Sequence, residues 1–315
     1  MPVDPSFQPI LDAIASMGDA GLESMSPAEA RVMAKDLAII DGDPTSVAGV
    51  QDRILPGPNG DLPVRIYTPE GDGPFGVLLW FHGGGWVIGD LDTADPTARK
   101  LCARSGAVVV SVDYALAPEH PAPQPLEDCW TALDWVAGHA REIRADSSRL
   151  AVGGDSAGGN LAAVVAQRAA SRNDVRLALQ VLVYPVTDLT LSHPSMVENG
   201  EGYFLTGKGM AWFTAHYLSG GADARDPELS PLFAEDVSGV APTVVITGEY
   251  DPLRDEGEAY AAKLEAAGVA VTAERYDGMI HGFFSMGAVT PVADQAVDLA
   301  ADALRTALAT PAVLA

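Results

Sequence analysis

From about residue 75 onward, short apolar runs alternate with longer stretches of helical pattern, and this alternation constrains the fold more than any other feature. The runs are Val77–Phe81, Ala107–Val112, Leu150–Gly153, Leu179–Tyr184 and Val244–Thr247, each ending at or near Gly, Asp or Pro. Continuous runs rich in β-branched and aliphatic residues suit strands buried on both faces, as in a parallel sheet. Between them the pattern predicts helices over Thr93–Arg104, Leu126–Ala140, Ala157–Ser171 and Glu256–Ala267, with Asp255 or a neighbour capping the last and Gly268 ending it. Strand–helix–strand repetition means βαβ units with right-handed crossovers and helices on both faces of the sheet, an α/β class.

Three further segments complete the reading. Val64–Tyr67 alternates apolar and polar residues after a turn at Pro58-Asn59-Gly60-Asp61, which predicts a leading antiparallel hairpin over roughly Val50 to Pro69. A last strand near Val271–Tyr276 and a helix near Val292–Leu308 close the fold. Residues 1–45 read as two short helices, the second opened by Ser26-Pro27, and residues 188–235 form a connection too long for a compact domain unless it is functional. Both segments are read as one cap over the C-terminal edge of the sheet, leaving 46–187 and 236–315 as the two parts of the core.

The net charge of −24, from 43 acidic and 19 basic residues, argues against nucleic acid and anionic membranes as partners, because both would repel it. It is read as ordinary solubility rather than salt adaptation. Cys102 and Cys129 stand far apart in no metal-ligand spacing, which predicts buried free thiols and no metal site. Met1–Ile14 lacks a basic region followed by a long apolar run, and nowhere do about eighteen apolar residues run together. The expectation is a cytoplasmic protein with no membrane span.

Gly154-Asp155-Ser156-Ala157-Gly158 follows a predicted strand and opens a predicted helix, the context in which G-x-S-x-G marks a nucleophile elbow. Flanking glycines relieve the tight turn, and the free amides at the helix start stabilise developing negative charge near Ser156. His82-Gly83-Gly84-Gly85-Trp86 follows the Val77–Phe81 strand. Three consecutive glycines cost conformational entropy, so the backbone is needed for close approach, and such a loop offers amides to an oxyanion. Gly84 and Gly85 are assigned as donors together with Ala157, with Gly83 letting the loop turn and His82 shaping it.

Among six histidines, His281 is selected as the base because it lies just beyond the last strand, between Gly278 and Gly282, which would make a mobile turn. The strand ending at Thr247 is followed by Glu249, Asp251 and Asp255. Asp251, on the loop crest before Pro252, is preferred as the orienting acid. The chain order Ser156, Asp251, His281 is that of a nucleophile-elbow hydrolase. Trp86, Phe204, Leu205, Trp212 and Ile280 are candidate pocket walls.

Taken together, His82–Trp86 (H-G-G-G-W), Gly153–Asn160 (G-G-D-S-A-G-G-N), Asp251–Glu256 (D-P-L-R-D-E) and His281-Gly282-Phe283 (H-G-F) resemble the hormone-sensitive-lipase family of esterases, the bacterial family IV group. The resemblance covers most of the chain. It implies an α/β-hydrolase fold with an eight-stranded, mostly parallel sheet, a two-piece helical cap and the triad and oxyanion hole assigned above. It also implies small ester substrates with short to medium acyl chains, no cofactor, and a homodimer built on the last strand or C-terminal helix. One departure stands out: Asp113–Pro121 resembles the family's D-Y-R-L-A-P-E-x-P, but Ala115 replaces the frequent arginine, so Glu119 needs another partner. Other readings are a non-catalytic small-molecule receptor on the same fold, and an amidase or lactonase with the same triad. The receptor would have no reason to keep His281, and a substrate panel separates the enzymes.

Overall fold

The computed structural model describes residues 2–16, 21–37, 41–58, 60–172 and 174–309. Within them, eight strands form one sheet in the order β1-β2-β4-β3-β5-β6-β7-β8. The strands are β1 (Gly49–Gly57), β2 (Gly60–Thr68), β3 (Phe75–Phe81), β4 (Val108–Val112), β5 (Ala145–Asp155), β6 (Leu177–Val183), β7 (Thr243–Tyr250) and β8 (Val271–Ile280). β1 and β2 form the predicted hairpin, β2 lies antiparallel to β4, and every other pair is parallel. Asn59 of the predicted turn lies outside the described residues.

The main helices are α1 (Gln8–Ser16), α2 (Pro27–Leu37), α3 (Leu91–Ser105), α4 (Gln124–His139), α5 (Ala157–Ala170), α6 (Pro194–Glu198), α7 (Gly207–Tyr217), α8 (Arg254–Ala266) and α9 (Pro291–Ala307). Side chains alternate across a strand, and each face of the sheet has its own core. Val77, Leu79 and Phe81 of β3 join α4, α5 and α8 on one side. Leu78 and Trp80 of the same strand join α3 and α9 on the other. This two-sided burial is why β3 reads as an unbroken apolar run. Cys102 and Cys129 are buried free thiols in these two cores.

Strand β5 begins five residues before the apolar run: Ala145 pairs with Phe75, and a register shift separates that pair from Val77 and Leu150, so the polar residues Asp146 to Arg149 carry no apolar signal. Strand β8 runs four residues past Tyr276. A register shift between Gly248 and Tyr250 of β7 lets Tyr250 pair with Ile280, so Gly278 to Ile280 are strand and not the mobile turn expected from the two glycines. His281 therefore sits directly on a strand end.

The described residues before β1 pack in two places. Phe7 is fully buried in the α3/α9 core, and the Asp4 amide donates to the Gly278 carbonyl at 3.0 Å. Leu22 instead joins a small cluster with Val87, Ala117, Phe213, Leu205 and Trp212, so the N-terminal segment, the 188–235 insertion and the loop after β3 meet at one place. Helix α2 opens as the Ser26-Pro27 pair predicts. Ser26 donates backbone and hydroxyl hydrogen bonds to Glu29, a side-chain exchange that satisfies the free helix start.

Candidate active site

Ser156 stands between β5 and α5 with φ +55° and ψ −117°, a left-handed conformation that a β-carbon resists. Neighbouring hydrogen bonds hold it there: its amide donates to the Val183 carbonyl at 2.8 Å, and its own carbonyl accepts from the Asn160 amide at 3.0 Å. The glycine spacing of the motif has a steric cause. A β-carbon at Gly158 would lie 1.9 Å from the Phe81 carbonyl oxygen, and one at Gly154 would lie 2.4 Å from the Gly158 carbonyl.

At the end of β8, His281 Nε2 lies 3.0 Å from Ser156 Oγ, and its Nδ1 lies 2.7 Å from Asp251 Oδ2. The carboxylate only accepts, so this network assigns the proton to Nδ1 and leaves Nε2 free to take the hydroxyl proton. Asp251 has no exposed surface, and Ser156 and His281 are 8% and 7% exposed. The other Asp251 oxygen accepts from the Leu253 amide at 2.8 Å. Asn199, from the 188–235 insertion, donates to the Glu249 and Asp251 carbonyls, tying the acid loop down from above. The Tyr184 ring packs against the imidazole at 4.5 Å between centroids. The alternative acids are engaged elsewhere: Glu249 accepts from the Gly278 amide, and Asp255 lies in the first turn of α8 and accepts from the Ser195 amide.

The glycine loop abuts the serine. The Gly83 amide donates to Asp155 Oδ1 at 3.0 Å, and a β-carbon on Gly83 would lie 2.3 Å from Asp155 Oδ2. Gly83 is therefore required for close approach, whereas the turn is made by Gly84 (φ +114°) and Gly85 (φ +56°), a correction to the expected division of labour. The amides of Gly84, Gly85 and Ala157 have no acceptor among the described residues. Burial pushes the Asp155 carboxyl up to about 6 against the opposing pull of the Gly83 amide. His82 bonds the Gly83 carbonyl through Nδ1 at 2.7 Å and stacks on Tyr114. Burial holds its imidazole below the usual range, so it is a neutral loop-former.

A cavity of about 180 Å³ opens beside the glycine loop, with Gly83, Gly84, Asp155, Phe204 and Gly282 in its wall. Of the five candidate wall residues, Phe204 lines it. Trp86 is fully buried and stacks on Tyr217 at 4.1 Å, and Ile280 is fully buried in the α3/α9 core. Leu205 and Trp212 pack in the cluster around Phe213, whose ring occupies the space a Gly85 β-carbon would need. Among the described residues no three His, Cys, Asp or Glu side chains converge to hold a metal ion, and no helix is long and apolar enough to cross a membrane.

Glu256, the last residue of the D-P-L-R-D-E motif, carries a role that sequence reading missed. It is fully buried and accepts from the Thr187 and Asp188 amides at 2.7 and 3.2 Å, holding the point where the insertion leaves the core. Burial raises its carboxyl well above the usual range, outweighing those two amides. A raised acid keeps its proton in the folded state after the unfolded chain has lost it, so its contribution to stability is full below about pH 4.5 and declines as pH rises above that value. Glu256→Gln keeps the accepting oxygen and removes the penalty. Urea unfolding should show the variant at least as stable as the parent at pH 7, with its advantage vanishing toward pH 4. A large loss at pH 7 would mean that Glu256 is held ionised.

The chain matches the α/β-hydrolase-fold family over residues 78–285. It is 47% identical over 245 residues to the carboxylic ester hydrolase LipN of Mycobacterium tuberculosis, spanning 75% of this chain and 65% of that one. It is 40% identical to the esterase LipI of the same organism over 316 residues, 97% of this chain and 95% of the relative. The structure of a hyperthermophilic esterase from Pyrobaculum calidifontis superposes with a TM-score of 0.92 at 40% identity, covering 97% of this chain and 99% of that one. With the motifs, the sheet and these likenesses in agreement, the chain belongs to the α/β-hydrolase fold and, within it, to the hormone-sensitive-lipase (family IV) esterases.

Proposed function

We propose that the protein is a carboxylesterase that cleaves short- to medium-chain esters through an acyl-enzyme on Ser156. The observation that carries this reading is the unbroken hydrogen-bond path from Ser156 Oγ through His281 to Asp251, 3.0 and 2.7 Å long. His281 Nε2 takes the hydroxyl proton as Ser156 Oγ attacks the ester carbonyl, while Asp251 fixes the tautomer and stabilises the imidazolium. The amides of Gly84, Gly85 and Ala157 receive the oxyanion, where one lost donor costs about 10²–10³ in rate. The proton on Nε2 then passes to the departing alkoxide as the carbonyl–oxygen bond breaks, releasing the alcohol. Water repeats the sequence on the acyl-enzyme and frees the acid and Ser156.

In this reading the 188–235 insertion and the N-terminal helix α2 form the cap, supported by the cluster that joins Leu22, Phe213 and Val87. Phe204, Leu205 and Trp212 then shape the substrate space with Trp86 behind the loop, and Ile280 backs His281 from the core. The enzyme works in the cytoplasm. It does so as a homodimer paired across β8, one of the two edge strands of the sheet, whose residues Thr272 to Arg275 are exposed.

Initial rates on p-nitrophenyl esters from acetate to palmitate test the proposal. The proposal expects a maximum at short or medium acyl chains and sharply lower rates at palmitate. A maximum at palmitate would make the protein a lipase, and well-folded protein silent on every ester would favour the amide-type or receptor readings.

A further inference from the structure

The departure at Ala115 leaves the Glu119 carboxylate without the arginine that the loop motif would supply, and the structure fills the gap from a distant element. Arg31 of α2 reaches Glu119 with both terminal nitrogens, Nη1 to Oε1 at 2.9 Å and Nη2 to Oε2 at 2.6 Å. The same guanidinium donates from Nε to the Val87 carbonyl at 2.8 Å and from Nη2 to the Ala117 carbonyl at 3.0 Å. Those two carbonyls lie on a seam between loops: the Ala117 amide donates to the Trp86 carbonyl, and the Val87 and Ile88 amides both donate to the Gly84 carbonyl. Trp86 itself holds φ +61°, a left-handed backbone at a bulky residue, so this stretch needs outside support.

We propose that Arg31 is a positioning residue for the oxyanion hole, fixing the Gly84–Gly85 amides by clamping the Val87 and Ala117 carbonyls onto the cap helix. The ion pair alone would not do this, since Glu119 is half exposed and such pairs contribute little. The force lies in the two carbonyl bonds, because Val87 and Ala117 are fully buried and removing the donor leaves their oxygens unmatched. Only a planar fork serves two carbonyls and a carboxylate at once, which a lysine ammonium cannot. One turn further along α2, Lys35 pairs with Asp90 at 2.9 Å, but it is 61% exposed and touches neither carbonyl. It supplies the control.

The inference rests on the acyl-enzyme reading, and the experiment separates the two. Arg31→Ala, Arg31→Lys and Lys35→Ala are compared with the parent on p-nitrophenyl butyrate, below every melting temperature and with active sites titrated. Misplaced catalytic geometry costs up to about a hundredfold, so Arg31→Ala should lower kcat by about ten- to hundredfold with KM unchanged. Binding of a trifluoromethyl ketone, which adds Ser156 to give a tetrahedral oxyanion, should weaken with kcat/KM. Arg31→Lys should fall between parent and Arg31→Ala, which keeps the test alive if the alanine variant does not fold. Lys35→Ala should keep the parent's kcat. A parental kcat in the Arg31 variants, a loss carried by KM alone, or an equal loss in Lys35→Ala would each overturn the proposal. Turnover that survives Ser156→Ala would instead sink the acyl-enzyme reading.

Discussion

Ser156→Ala is expected to lose about 10⁶-fold in kcat while keeping the parent's far-ultraviolet spectrum and melting temperature, the scale on which nucleophile loss acts in serine hydrolases. The expectation of an intact fold has a local basis. The Ser156 hydroxyl bonds only His281 among the described residues, while the backbone at 156 is held by Val183 and Asn160. In the proposed mechanism the residual rate comes from substrate binding and the Gly84, Gly85 and Ala157 amides, which the substitution leaves in place. Steady-state kinetics with active-site titration measures it, and a variant within about tenfold of the parent would place the nucleophile elsewhere.

Asp251→Asn should cost about 10⁴-fold in kcat, with substrate binding and stability little changed. Asp251 uses its two oxygens differently: Oδ1 accepts from the Leu253 amide and Oδ2 accepts from His281 Nδ1. An asparagine has one accepting oxygen, and the fixed Leu253 amide claims it. Its amino group then donates to His281 Nδ1, which forces the imidazole proton onto Nε2. That nitrogen can no longer take the Ser156 proton, although every heavy atom stays in place. A loss of only a few-fold would mean that the buried carboxylate neither sets the tautomer nor balances the imidazolium.

The central strands were legible because burial on both faces writes a continuous apolar run, as in β3 and β4. Their limits were less so. The polar start of β5 carries no such run, and the end of β8 was hidden because Gly278, a turn-forming residue, lies inside the strand next to a register shift in β7. The site followed from short motifs with steric causes: Gly154 and Gly158 sit where no β-carbon fits, and position just after a strand pointed to Asp251 and His281, which line up with Ser156 in one hydrogen-bond path. What stayed hidden were the groups that reach the site across long stretches of sequence. Arg31 lies 86 residues from the Ala117 carbonyl it clamps, and Asn199 lies 52 from the Asp251 carbonyl it holds. Such pairs are set by how the insertion and helix α2 dock on the sheet, which no local periodicity encodes.

In the proposed mechanism Ser156 Oγ carries the acyl group, and covalent trapping reads that oxygen without relying on turnover. The parent enzyme is treated with a small fluorophosphonate ester and examined by intact mass and peptide mapping. One adduct per chain is expected, on the peptide bearing Ser156, formed far more slowly in Asp251→Asn and absent in Ser156→Ala. An adduct on any other residue, or none on a well-folded chain that turns over esters, would contradict it.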